Sequence, residues 1–236
     1  RTRPKEVRVA VLHRVSCDSH TRAYIEYYKA KGAVIIYDID DLLFGDNALS
    51  CISSLHCSES KKLEISNVQQ RYQEAMLQCD VVFLSTNYLK SVAEQFHSDV
   101  RVVRNGLSRE MLNFSKSNIK NQGKKKLKRH YITLGYLSGS KHHDDDFAMI
   151  QDALLQLLQK KTDTRLLVMG KLQFPEAFYQ FGERFIFQDF VPYKEFWKVY
   201  CEIDINLVPL NVDDPFNQAR SELKYIEAGA FGIPTV

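Results

Sequence analysis

Short apolar runs alternate with longer helical patterns along this chain, and that alternation restricts the fold more than any other feature. Residues 7–12, 33–37, 80–85 and 100–103 read as strands, with helices expected over 20–31, 60–78 and 86–96 between them. Runs this short and this apolar suit strands buried on both faces. A strand followed by a helix and another strand needs a crossover connection, so the strands are expected to lie parallel in a doubly wound sheet. Asn105 and Gly106 read as the turn that closes this first series.

A second series follows. Residues 131–137, 165–169, 184–187 and 204–209 read as strands. A helix over 147–160 carries Phe147, Ile150, Leu154, Leu157 and Leu158 on its apolar side, and a shorter one is expected over 194–200. Between the two series, Lys116, Lys120, Lys124, Lys125, Lys126, Lys128 and Arg129 occur in a stretch with no acidic residue. The expected organisation is therefore α/β, with Rossmann-like domains at 1–115 and 131–236 joined by a basic linker at 116–130. A solvated linker is the plain reading of the lysines, and peripheral contact with an anionic membrane surface is the functional one.

Composition excludes several partners. A net charge of +3 over 236 residues is too mild for polynucleotide binding, and no nucleic-acid motif accompanies it. The five cysteines, Cys17, Cys51, Cys57, Cys79 and Cys201, form an odd set without Cys-x-x-Cys spacing. Neither a disulfide framework nor a zinc site is indicated, which fits a reducing cytoplasm. No apolar run approaches the ~20 residues of a membrane span, and residues 1–6 lack a signal-peptide core. Any membrane contact is expected to be peripheral, at the inner face.

The segment 221–236 (SELKYIEAGAFGIPTV) points to chemistry. Leu223, Ile226 and Ala230 recur at core-facing helical spacing, while Ser221, Lys224 and Glu227 run along another face. Ser221 is the expected N-cap, and the first-turn amides of such a helix make a seat for phosphate. Glu227, more than a turn further in, is a carboxylate suited to accept both ribose hydroxyls of a nucleotide, as an acidic residue does in dinucleotide folds. Gly232 ends the helix, and 233–236 begins a strand.

Through Leu223, Glu227, Ala228, Gly232, Ile233, Pro234 and Val236, this segment resembles the donor-binding helix of retaining glycosyltransferases of the GT-B fold, family 4 in particular. Residues 102–106 are similar to the strand and Asn-Gly turn that leave the first domain in that family. Residues 37–41 resemble an acidic motif of a polysaccharide-associated branch. Residues 135–140, with His143, Asp146 and Phe147, resemble the first strand-to-helix turn of the donor domain. The family pattern has two glutamates bracketing seven residues; Glu227 matches the second, and Ala219 stands where the first, credited with contacting the transferred sugar, would fall.

The resemblance implies two Rossmann-like domains facing a cleft, a nucleoside-diphosphate sugar as donor, a glycan or lipid-linked acceptor, and neither metal nor cofactor. The donor residues it implies are Gly139, Ser140, His143, Phe216, Asn217, Ser221, Glu222, Leu223, Lys224 and Glu227. Lys224 and Asn217 are its candidates for a catalytic part: Lys224, with Arg220, to offset charge on the departing diphosphate, and Asn217 in partial replacement of the missing glutamate. Asp38, Asp40 and Asp41 fall on the acceptor side. A family member's donor domain continues past the position of Val236, and its acceptor domain opens with a glycine-rich turn, so the resemblance also implies a fragment. Two other readings stay open. Ala219 motivates a non-catalytic nucleotide-sugar-binding or scaffold protein. Asp38 and Asp40 motivate an aspartate-dependent phosphatase or metal-dependent hydrolase, although Leu42 and Leu43 follow where that motif would continue.

Overall fold

The computed structural model describes residues 6–45, 58–126, 130–138, 144–170 and 175–236. The chain divides into two compact units, one of residues 1–105 with 212–221 and the other of 106–211 with 222–236.

The first unit follows the expected alternation: β1 (Val9–His13), α1 (Ser19–Lys29), β2 (Val34–Ile39), α2 (Glu59–Leu77), β3 (Val81–Leu84), α3 (Asn87–Ala93) and β4 (Val100–Val102). Asp18 caps α1 by accepting from the Thr21 amide, and Thr86 caps α3 by accepting from Leu89. The strands pair in parallel in the order β1-β2-β3-β4. Tyr28, Ile35, Tyr37, Leu42, Phe44, Met76 and Leu84 form its core, joined by Ala219 from a short helix, Pro215–Ala219.

Among the described residues this sheet advances in one direction, where a doubly wound sheet was expected. Right-handed crossovers taken in one direction set their helices on one face. Accordingly β1 buries Ala10 and Leu12 but leaves Val9 and Val11 52% and 57% exposed, so it is not the strand buried on both faces that its composition suggests.

The second unit contains α4 (Arg109–Lys126), β5 (Ile132–Leu137), α5 (Asp144–Lys160), β6 (Thr164–Met169), a 3-10 segment (Glu176–Arg184), β7 (Phe185–Gln188), α6 (Tyr193–Val199), β8 (Ile205–Leu207) and α7 (Leu223–Ala230). Its parallel order is β7-β6-β5-β8, so this sheet reverses at β5. Beyond β8 the chain returns after α7, and Thr235 bridges Asn206 in parallel, as expected for a strand beginning near residue 233. One core gathers Tyr136, Phe147, Leu154, Leu158 and Phe178; another gathers Leu137, Leu167, Met169, Trp197, Tyr200 and Phe231.

As far as residue 126 the basic run is a helix where a linker was expected, and Lys128 and Arg129 lie outside the described residues. Residues 116–126 continue α4, whose first turns are anchored by Met111 and Phe114 in the second unit's core. A helix nucleated by such packing propagates through a run without proline, and polarity alone does not stop it. Among the described residues no helix is long and apolar enough to cross a membrane.

Candidate functional site

In an open α/β sheet, ligands bind outside the carboxyl ends of the strands where the order reverses, which in the second unit lies beside β5 and β8. The base of that region is tightly built. Ser138 donates its amide to Met169 O at 2.8 Å, so β5 and β6 stay paired to their ends. Gly170 has φ +117°, and a Cβ there would come within 2.1 Å of Ser138 O, so this close approach demands glycine. Gly139, Ser140 and His143, expected in the loop that follows, lie outside the described residues.

Helix α7 precedes a segment parallel to β8, so it runs antiparallel to the strands and starts on their carboxyl side. Its N-cap is Glu222, not Ser221, and no side chain caps it. The Glu222 carbonyl accepts from the amides of Tyr225 and Ile226 at 3.0 Å each. Ser221 belongs to the first unit, where its hydroxyl accepts from Asn105 Nδ2 at 2.8 Å; with its oxygen engaged there, the helix opens one residue later. Asn206, buried on β8, ties α7 to the sheet by donating Nδ2 to Lys224 O at 3.3 Å.

Glu227 is the buried acid of this helix. It is 5% exposed, and its Oε2 accepts from the Tyr200 hydroxyl at 3.1 Å. Burial pushes its carboxyl above the ordinary range, opposed by the Tyr200 hydrogen bond and the Lys224 charge. Burial likewise pushes the Tyr200 phenol upward, and the adjacent carboxylate adds to that. Among the described residues no donor meets Glu227 Oε1. Tyr200 and Asn206 were not among the residues expected here. Periodicity in α7 exposes Glu227 as polar but carries no sign of a partner 27 residues earlier.

Leu223 opens α7 in the second unit, and Phe216, Asn217 and Ala219 fall in the first. Phe216 lies under the Arg220 guanidinium, 5.2 Å from its ring centroid, and Asn217 is buried. Asp214 accepts from the Phe216 amide at 2.9 Å and so starts the short helix. Ala219 is 1% exposed, and its carbonyl accepts from Thr86 Oγ1 at 3.1 Å.

Asp38, Asp40 and Asp41 meet basic side chains of the chain itself. His13 Nδ1 pairs with Asp38 Oδ2 at 2.8 Å, at the carboxyl ends of β1 and β2. Arg14 has φ 48°, in the left-handed region that side chains rarely adopt, and its amide donates to Asp38 O at 2.9 Å. From there its guanidinium reaches Asp41 Oδ2 at 3.0 Å and Asp40 Oδ1 at 3.5 Å. Burial raises the Asp41 carboxyl above its ordinary range, and Asp40 adds to that, while Arg14 and Arg220 oppose it. Among the described residues no group of three or more His, Cys, Asp or Glu side chains is placed to hold a metal ion.

No protein-family model matches the chain, and no curated protein does. Solved structures do resemble it. Anabaena Alr3699/HepE in complex with UDP and glucose superposes with a TM-score of 0.54 at 15% identity, over 95% of this chain and 58% of that one. The UDP-forming α,α-trehalose-phosphate synthase of Burkholderia xenovorans gives 0.53 at 10% identity, over 90% and 56%. An E. coli trehalose-6-phosphate structure bound with UDP-2-fluoro glucose gives 0.53 at 11% identity, over 90% and 56%. The chain thus spans little more than half the length of the structures it matches. What the likeness shows is the fold: α/β, with two Rossmann-like parallel-sheet units of the GT-B class.

Proposed function

We propose that this chain is part of a retaining glycosyltransferase of family 4 type, moving a sugar from a nucleoside-diphosphate donor to a glycan or lipid-linked acceptor. The second unit holds the donor. The observation that carries the reading is the state of Glu227: a buried acid, fixed through one oxygen by Tyr200, with no donor among the described residues on the other. It sits a turn inside a helix that opens without a side-chain cap, on the carboxyl side of a sheet at its reversal. That arrangement suits ribose hydroxyls at the carboxylate and a diphosphate at the helix start. Lys224 offsets the phosphate charge, with His143, Gly139 and Ser140 contributing from the β5 loop. The solved structures of similar fold that hold UDP, glucose or UDP-glucose support the donor class. The retaining outcome rests on the sequence resemblance.

Calorimetric titration with UDP, GDP and dTDP tests the assignment, with Glu227→Ala as control. Saturable binding of one nucleotide, weakened about tenfold or more by the substitution, is expected for a charge-assisted contact. Absence of nucleotide binding, or binding indifferent to the substitution, would sink it.

A second reading is favoured by Ala219. That position is enclosed in the first unit's core and holds no carboxylate, so the chain of this reading binds a nucleotide sugar without turning it over. Nucleotide binding without release of nucleoside diphosphate from any of the donors distinguishes it.

A further inference from the structure

The second unit also contains a cavity of about 330 Å³ lined by His130, Tyr131, Thr133, Arg165, Leu167, Ile186 and Glu202. It lies toward the amino-terminal ends of β5, β6 and β7, the edge opposite to that where the nucleotide is placed above. Thr133 pairs in register with Arg165, and Leu167 with Ile186, so their side chains share one face of the sheet. The volume is at the lower end of the range for small-molecule pockets, roughly 300–1,000 Å³.

One polar group in this cavity lacks a partner among the described residues. Arg165 Nε is buried and makes no hydrogen bond. Thr133, 4% exposed, lies beside it, with its amide donating to Asp204 Oδ2. The guanidinium is nevertheless held in place. It stacks on the Tyr131 ring with Cζ 4.4 Å from the centroid, and the Tyr131 hydroxyl is fixed by Glu183 Oε1 at 3.0 Å. An Nε–H buried without an acceptor is costly unless something accepts from it.

We propose that this cavity is a binding site for a small organic monocarboxylate or dicarboxylate, seated on Arg165 and Thr133. The planar guanidinium matches a carboxylate through paired N–H donors, and the Thr133 hydroxyl supplies a further donor beside it. Leu167 and Ile186 provide an apolar floor for a short carbon body. Glu202 on the wall has interactions of its own, and the apolar floor gives an organic acid a contact that inorganic phosphate lacks.

The test is calorimetric titration of the whole chain with succinate and, separately, with inorganic phosphate. Saturable succinate binding is expected, weakened about tenfold or more in Arg165→Gln and by a smaller factor in Thr133→Val. Near-UV circular dichroism establishes that the variants keep the native core. Should Arg165→Gln lose it, Arg165→Lys decides, since it keeps the charge and loses the planar fork; weaker succinate binding is expected there too. No saturable succinate binding overturns the proposal, as does binding unchanged by the Arg165 variant. Phosphate binding tighter than succinate with the same dependence on Arg165 overturns the carboxylate assignment.

Discussion

The Tyr200 hydroxyl donates to Glu227 Oε2 across 3.1 Å, joining the end of α6 to the middle of α7 inside a buried region of the second unit. This one bond decides how the acid is presented. Without it the carboxylate would be a buried charge with only Lys224 to oppose its desolvation. With it, one oxygen is fixed and the other keeps its accepting capacity.

Tyr200→Phe tests that relationship. The phenylalanine keeps the ring stacked on Phe231 and removes only the donor. Stability is expected to fall by about 1–3 kcal/mol, the cost of stranding a buried acceptor. Urea unfolding at neutral pH measures it. Nucleotide affinity is expected to fall as well, because an unfixed carboxylate loses its orientation; an unchanged affinity would show that the bond only supports the core.

The same burial sets a pH dependence. Glu227 has a folded-state pKa above its ordinary value of 4.5, so the folded chain holds this proton where the unfolded chain has released it. Its contribution is therefore most favourable below the unfolded pKa and is lost as pH rises through the folded one. Glu227→Gln keeps an acceptor for Tyr200 and has no proton to lose. The variant is expected to gain stability relative to the parent as pH rises from about 4 toward neutrality. A stability difference that stays flat over that range in paired urea unfolding series would contradict the assignment.

At the carboxyl ends of β1 and β2, Arg14 holds two carboxylates from a left-handed backbone. Asp41 is already raised by burial, and removing Arg14 takes away the largest effect opposing that. Arg14→Gln is expected to cost about 1 kcal/mol near neutral pH, the scale of a partly exposed ion pair. The cost shrinks as the medium is acidified and Asp41 takes up its proton, so that the unpaired charge disappears. Equal destabilisation in acid and at neutrality would show that backbone strain, not charge, governs the site.

How far the sequence carries depends on whether a feature is local. Alternation placed β1 through β8 within a few residues, because strand and helix periods are written in neighbouring positions. It misplaced the boundary near residue 116, because Met111 and Phe114 extend α4 through tertiary packing that no local polarity reveals. The short helix at Pro215–Ala219 has too few residues for a period to show, and Asp214 and Pro215 serve equally as turn residues and as a helix start. Glu227 stood out as a polar residue in an amphipathic helix. Its partner Tyr200 did not, since a bond between separate elements leaves no spacing to read. Arg165 was equally invisible as a site residue: within a strand pattern it is one polar position, and only the fold sets it beside Tyr131 and an empty volume.

Under the proposed function Ala219 bears on catalysis most directly, and it can be tested from the side of structure. The residue is 1% exposed, packs into the first unit's core, and gives its carbonyl to Thr86 Oγ1, which also caps α3. Introducing the glutamate of the resembled pattern with Ala219→Glu would place a carboxylate in that apolar core. The expected cost is about 2–4 kcal/mol, moderated by protonation of the acid. The expected outcome is lower stability in urea with no release of nucleoside diphosphate from UDP-glucose, since the packing around the alanine leaves the new carboxylate no seat. Thr86→Val serves as a calibrating variant: it removes the cap and the bond to Ala219 and is expected to cost about 1–2 kcal/mol, with Thr86→Ser close to the parent. Turnover gained by Ala219→Glu without loss of stability would mean that the core opens there, and that one carboxylate separates this chain from an active transferase.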